Sequence, residues 1–304
     1  MKIHILGSAA GGGFPQWNCN CHNCAEVRRG NPSMQPRTQS SIAVSGDGER
    51  WILINASPDI GAQLAAFPAA QPAGDSVRGT GIHAVMLVDS QIDHTAGLLT
   101  LREHGRLRLY TTRSVHEDLT TGFPVIPMLE HYCGVDWREV AADDDAFQVD
   151  GVPELAFTAV PLTGKAPPYS PGRHAPRTGD NIGVLIHERS SGRQAFYAPG
   201  LGALDAGLIR RMADVDCLMV DGTFWREDEM LTTGTGSKHA ADMGHLPLSG
   251  PDGLIAVLQR LPRPQKYLVH INNTNPVLDE RSPEAEMLRR AGITAARDGM
   301  SLDV

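Results

Sequence analysis

The sequence predicts an α/β fold in four layers, two packed sheets with helices on their outer faces. Three observations point there. Short apolar runs of strand length alternate with stretches of helical period, the connections include both hairpin and helical lengths, and no internal repeat, low-complexity block or linker divides the chain. A pure parallel sheet suits that mixture of connections less well. With 304 residues, 41% hydrophobic and 20% charged, a sizeable core is available, and one domain spanning 1–304 is expected.

In chain order, strands are expected at residues 2–7 (KIHILG), 41–45 (SIAVS), 51–56 (WILINA), 84–89 (AVMLVD) and 107–112 (LRLYTT). Further strands follow at 155–162 (LAFTAVPL), 181–188 (NIGVLIHE), 194–199 (QAFYAP), 217–223 (CLMVDGT) and 266–271 (KYLVHI). Helical patterns cover 58–67, 95–105, 114–123, 204–215, 251–261 and 283–292. Residues 164–180 (GKAPPYSPGRHAPRTGD) carry four prolines and no element, and a loop of that length suggests a lid or a binding loop. The glycine run GSAAGGGFPQWNC follows a strand but is no nucleotide site: Pro15 and the cysteines after it leave no room for the required helix, and the GK[ST] ending is absent. It reads instead as a tight loop whose backbone lies close to something.

Net charge is −8, from 27 basic and 35 acidic residues without a long basic run, which argues against nucleic acid or an anionic membrane as partner. The N-terminal apolar stretch is too short for a secretory signal, and no run of about 18 apolar residues could span a bilayer. A cytoplasmic location is expected.

Three of the five cysteines fall within six residues, as CNCHNC at 19–24. Disulfide frameworks do not look like this in a chain of this size, whereas thiolate zinc sites do. Cys19, Cys21 and Cys24 are therefore expected to hold a structural Zn2+. His22 lies inside the knuckle, where ligation would be cramped, so the fourth ligand comes from elsewhere in the chain or is water. Cys133 and Cys217, in or beside apolar segments, read as core residues.

A second site is suggested where the strand AVMLVD runs into SQIDH. Many metal hydrolases carry HxHxDH at such a turn; here Asp93 and His94 keep its last two letters, while Asp89 and Gln91 replace the two leading histidines. Two further strand ends carry ligand types, Asp221 in CLMVDGT and His270 in KYLVHI. Any one of these would more often be a cap, a turn residue or a structural histidine. Together they point to one centre. Two imidazoles and two carboxylates suit Fe(II), Mn(II) or Zn(II).

The order of the motifs SQIDHTAG, VDGTF and LVHINNTNP resembles the metallo-β-lactamase superfamily. With the CxCxxC knuckle and MGHLPLSG (243–250), the whole chain resembles the PqqB family of coenzyme PQQ synthesis proteins. The resemblance implies a metallo-β-lactamase-like αββα sandwich. It also implies that one of the superfamily's two metal positions is lost, since Asp89 and Gln91 replace its histidines and AVPLTGKAP supplies no third. The other position stays whole, with Asp93, His94, Asp221 and His270 as ligands. In related phosphodiesterases a histidine three residues after the last ligand closes the knuckle; here that position is Asn273.

The family's role in pyrroloquinoline quinone (PQQ) biosynthesis implies a substrate derived from a cross-linked glutamate and tyrosine. The expectation is a mononuclear Fe(II) centre that uses O2 to hydroxylate the tyrosine ring. Asp89 and Gln91 would then orient the substrate, and His245 would support the centre or move protons. Lys165 and Arg173 could meet substrate carboxylates, although a solvated surface role is commoner for such residues. Other proteins of the pathway are possible partners. The alternatives are a carrier that hands PQQ or its precursor towards the periplasm, and a one-metal hydrolase using metal-bound water.

Overall fold

The computed structural model describes residues 1–304. Fourteen strands form two sheets of seven. The first holds β1 (Lys2–Gly7), β2 (Ser41–Ser45), β3 (Trp51–Ile54), β4 (Ile82–Met86), β5 (Leu107–Thr111), β6 (Val135–Glu139) and β14 (Met300–Asp303), in the order β14-β1-β2-β3-β4-β5-β6. The second holds β7 (Ala146–Phe147), β8 (Leu155–Pro161), β9 (Ile182–Glu188), β10 (Gln194–Ala198), β11 (Cys217–Asp221), β12 (Gln265–Val269) and β13 (Ile293–Ala295), in the order β13-β12-β11-β10-β9-β8-β7. In each sheet one part is antiparallel, and the other is a parallel run, β3 to β6 and β10 to β13.

Side-chain alternation assigns the layers. Ile52 and Ile54 of β3 face Phe157, Tyr197 and Met219 in a core between the sheets. Leu53, from the opposite face of β3, packs outward on Ile60, Leu98 and Leu119. Leu218 and Val220 of β11 do the same on the far side, against Leu208, Leu254 and Leu288. The result is the expected four-layer sandwich, and central strands such as β2, β3 and β11 are buried along their whole length. That is why they read as unbroken apolar runs.

All ten expected strands are present. The four not foreseen are β6, β7, β13 and β14, which are short or polar pieces at or near sheet edges. The helices are shorter than their periodicity suggested. Residues 95–105 form not one α-helix but a 3-10 stretch, Ala96–Glu103, after a single α turn at Ile92–Thr95. A helix does follow the glycine run, although it starts only at His22; α1 (His22–Arg28) carries Cys24, so the knuckle is not built from a loop alone. No helix is long and apolar enough to cross a membrane.

Candidate metal centre and substrate pocket

The parallel strands deliver the chemistry. β4 leads into Asp89, Asp93 and His94, β11 ends on Asp221, and His270 follows the last residue of β12. Parallel neighbours end on the same side of a sheet, so their C-terminal loops converge on one place. His270 adopts a left-handed backbone (φ 56°), a conformation few non-glycine residues hold without cost.

Three histidines meet here. The His94 and His270 ring centres are 5.3 Å apart, and so are those of His245 and His270. Each ring has its Nδ1 tied to an outer partner: His94 to Asp89 Oδ1 (2.8 Å), His270 to Thr223 Oγ1 (2.8 Å) and His245 to Asp221 Oδ2 (2.6 Å). Thr223 Oγ1 also lies 2.6 Å from Asp221 Oδ1 and 2.9 Å from the His270 carbonyl oxygen; with its single proton given to either of these acceptors, it faces His270 Nδ1 as an acceptor. With Nδ1 tied in all three rings, Nε2 is the atom each turns towards the centre, unpartnered in His94 and 3.1 Å from Asp93 Oδ2 in His270, an arrangement that orients metal-binding imidazoles.

The donor atoms form two triads that share His270: Asp93, His94 and His270, and Asp221, His245 and His270. Within each, the ligand atoms lie within 4.8 Å of one another. The four residues expected as one ligand set therefore span both triads, and His245 joins them as a fifth donor. Asp89 faces His94 and the backbone N–H of Gln91 (2.9 Å), and Gln91 donates to the Lys165 carbonyl (3.3 Å); both side chains also line the cavity.

The residues fit a divalent cation. His94 Nε2 is fully buried without any hydrogen-bond partner, a costly state unless something else takes its place. Burial opposes charge on His94, but Asp89 and Asp93 outweigh it and raise the imidazole to about 9. Burial likewise opposes the Asp93 charge, yet His94 and His270 hold that carboxyl well below its ordinary value. Asp221 is lowered, against burial, by His245, and His245 is raised in turn. The acidic groups thus draw positive charge into a buried place, which protons supply in part and a metal ion supplies better.

The knuckle adjoins this centre. Cys19, Cys21 and Cys24 have their sulfurs within 4.8 Å of one another. Asn273 Nδ2 stands 3.1, 3.5 and 3.3 Å from those three sulfurs, capping the triangle, while His22 is exposed and outside the group. Burial pushes the Cys21 thiol up to about 12, whereas Cys19 is lowered against burial by hydrogen bonds, the Cys21 N–H first among them. Three neighbouring thiols cannot all ionise without a cation between them. Cys217 lies in the core as expected; Cys133 is only half-buried.

Both centres open on a cavity of about 690 Å³. Its wall includes Cys19, Cys21, Gln91, Asn273 and Lys165, the last being the only lysine or arginine in the lining. Gly11, from the glycine run, is also there: a Cβ would stand 3.2 Å from Asp93 Oδ2, which identifies what that backbone lies close to. The 164–180 loop is pinned down by Tyr169 on the Ser90 carbonyl, Ser170 on Asp118 and Thr112 on the Gly179 carbonyl (2.7 Å). Arg173 turns inward to the Ala166 carbonyl. Two functional residues escaped the sequence reading. Thr223 had a signal, its place two after Asp221, where an Asp side chain commonly closes a turn. Asn181 had none: its Nδ2 holds the Gly200 carbonyl (3.0 Å), while its Oδ1 is buried and unpartnered in the cavity lining.

Comparison with known proteins follows the same line. A family model described as a beta-lactamase superfamily domain matches residues 50–271. Coenzyme PQQ synthesis protein B of Methylococcus capsulatus is 55% identical over 303 residues, covering 99% of each chain, and that of Cupriavidus necator is 58% identical over 302 residues with the same coverage. The chain belongs to the PqqB family. A crystal structure of Zn(2+)-bound PqqB from Methylobacterium extorquens superposes with a TM-score of 0.89 at 38% identity, covering 100% of both chains. A diphosphatase of the PhnP family, at 20% identity and a TM-score of 0.68 over 100% of this chain and 97% of that one, shares the fold. As a PqqB family member with a metallo-β-lactamase sandwich, the chain is a metal-binding protein.

Proposed function

We propose that this protein serves PQQ biosynthesis as a mononuclear, O2-using hydroxylase of a tyrosine-derived Glu-Tyr precursor. The observation that carries the reading is the set of three imidazoles, each locked through Nδ1 and each offering Nε2 to one buried acidic centre. Asp93, His94, Asp221 and His270 would hold the cation. Fe(II), when bound, supplies the one-electron chemistry that O2 activation needs, which Zn2+ does not.

The chain's own residues do the rest. Asp89 keeps the His94 ring in its ligating tautomer, and Thr223 does so for His270. His245, with Nδ1–H on Asp221, presents Nε2 as acceptor for the phenolic proton of the substrate. Lys165 meets a substrate carboxylate, and Asn181 Oδ1 accepts from a substrate N–H or O–H, ending its isolation. Each oxygen inserted turns a ring C–H into C–OH while the second oxygen atom leaves as water. Two electrons and two protons are consumed, so an external reductant is a co-substrate.

At the knuckle, Asn273 closes a Zn2+ site through its carboxamide oxygen. Amide oxygen and nitrogen exchange by a flip of the side chain, and the atom that now caps three sulfurs would then be Oδ1.

The test is anaerobic loading with Fe(II), addition of the precursor and a reductant, then admission of 18O2 with mass spectrometry of the product. Ring-incorporated label that vanishes in His94→Ala supports the hydroxylase. No label in a sample holding both metal and precursor overturns it. Tight product binding without turnover would then favour the carrier, and metal-dependent ester or amide cleavage the hydrolase.

A further inference from the structure

A second pocket, of about 290 Å³, lies between α9 (Pro283–Arg290), β13 and the segment before α9, and it shares no lining residue with the cavity described above. Arg37 forms part of it. This side chain is unusual in two ways. It is only 5% exposed, and it makes no ion pair with any carboxylate. Of its guanidinium nitrogens, Nη1 donates to the Ala296 carbonyl, while Nε is fully buried without a partner.

The carboxylate that acts on it most strongly cannot answer its hydrogen bonds. Asp298 is already saturated: Oδ1 accepts from Ser8 N (2.9 Å) and Ser8 Oγ (2.8 Å), Oδ2 from Thr38 N (2.6 Å) and Thr38 Oγ1 (2.7 Å). Glu280, at the rim, is held by Arg297 Nη1 (3.0 Å) and by Arg289 through its own backbone carbonyl (3.2 Å). A planar guanidinium fork with unused donors is the usual receptor for a planar anion. The rest of the lining joins an apolar patch, built around Val277, Leu288 and Ile293, to Thr294 and the charged side chains of Glu280, Arg289 and Arg297.

We infer that this pocket is a binding site for a small monocarboxylate with a compact apolar body, the carboxylate taken by Arg37 and the body by Val277, Leu288 and Ile293. Arg289 and Arg297 also line the pocket, but Arg289 is paired with Glu286 (2.8 Å) and Arg297 with Glu280 (3.0 Å), which leaves Arg37 as the one lining cation without a carboxylate and a single negative charge to be matched. The site backs onto the main cavity. Arg37 exchanges both backbone hydrogen bonds with Phe14 (2.7 and 2.8 Å), in the loop that contributes Gly11 and Gln16 to that cavity's wall.

The experiment uses the full chain at constant ionic strength and pH 7. Thermal midpoints are followed against isobutyrate, acetate and phosphate for the wild type and Arg37→Met. Isobutyrate is expected to raise the wild-type midpoint with saturation in the millimolar range, acetate to do so about tenfold less effectively, since it lacks the methylenes' worth of apolar contact, and Arg37→Met not to respond. In parallel, arginine-selective 15N labelling of the wild type reads the buried Nε–H directly, so the test stands even if Arg37→Met fails to fold. That resonance is expected to shift along the same isobutyrate titration. An equal midpoint shift in both proteins, an unmoved Nε–H signal, or a response to phosphate alone would overturn the assignment.

Discussion

Asp89 stands at a position where a metal ligand would be expected in a two-metal relative, yet its carboxylate reaches the His94 ring from behind, accepting from Nδ1 at 2.8 Å. Replacing it tests what that contact does. Asp89→Asn is expected to weaken Fe(II) or Zn(II) binding at the centre by ~10–100-fold, read by competition with a chromophoric chelator, with the knuckle metal retained. An unchanged affinity with a raised KM would assign Asp89 to the substrate instead. Glu229, whose carboxyl accepts from Thr274 beside the knuckle's Asn273, offers a pH test. Burial pushes its carboxyl up to about 7 from an ordinary 4.5, against hydrogen bonds from Thr274 and Trp225. The folded protein therefore holds a proton there that the unfolded chain releases. Folding is favoured fully below pH 4.5, and this contribution declines as pH rises towards 7, by about 3 kcal/mol in all. Urea midpoints from pH 4.5 to 8 should fall across that window in the wild type, and Glu229→Gln should flatten the fall. Neither residue's role was legible in the sequence, because each depends on a distance to something remote in the chain. That Asp93, His94, Asp221 and His270 would converge was legible, because ligand-type side chains at strand ends leave a mark in the letters themselves.

The element that joins the two centres is the segment after β12. His270, the donor shared by both triads, stands at one end of it, Asn273 caps the three sulfurs at the other, and the Asn273 and Asn275 carbonyls accept from Asn23 (3.1 and 2.9 Å) on α1. A neutral carboxamide is a weak partner for Zn2+ beside three thiolates. Asn273→His is expected to slow zinc release to a chelator by at least tenfold and to shift the thiolate-to-cobalt absorption of the Co(II)-substituted protein. Asn273→Ala is expected to speed release, and identical kinetics in all three proteins would place water in the fourth position. Elements of this kind explain what the sequence hid. Buried strands such as β3 and β11 announce themselves as apolar runs, since both of their faces are covered. Edge pieces such as β14 (MSLD), exposed at alternate positions, look like loop until a neighbouring strand supplies their hydrogen bonds. Likewise α1 opens with HNCAEVR, a stretch whose helix owes more to the cysteine cluster and to Asn23's anchors than to any apolar period.

At the scale of the whole molecule, the centre is divided between the sheets. Asp93 and His94 follow β4 of the first sheet; Asp221 ends β11 and His270 follows β12 of the second. The chain ends tie the same two layers together: β14 pairs with β1, and the Met1 ammonium meets Glu188 of β9 at 2.6 Å. If residues 1–304 act as one folding unit, a cation bound across the sheets opposes the unfolding of both. The expected result is one transition, coincident by far-UV and near-UV circular dichroism, whose midpoint rises with metal. A site filled at a hundred times its dissociation constant adds about 2.7 kcal/mol to global stability, because the unfolded chain cannot assemble donors so far apart in sequence. Chelation should remove that increment from the wild type, and His94→Ala should show little of it at any metal concentration while keeping the increment due to the knuckle. Two separated transitions, only one of them sensitive to the active-site metal, would mean that the sheets unfold independently and that the ion does not clamp them.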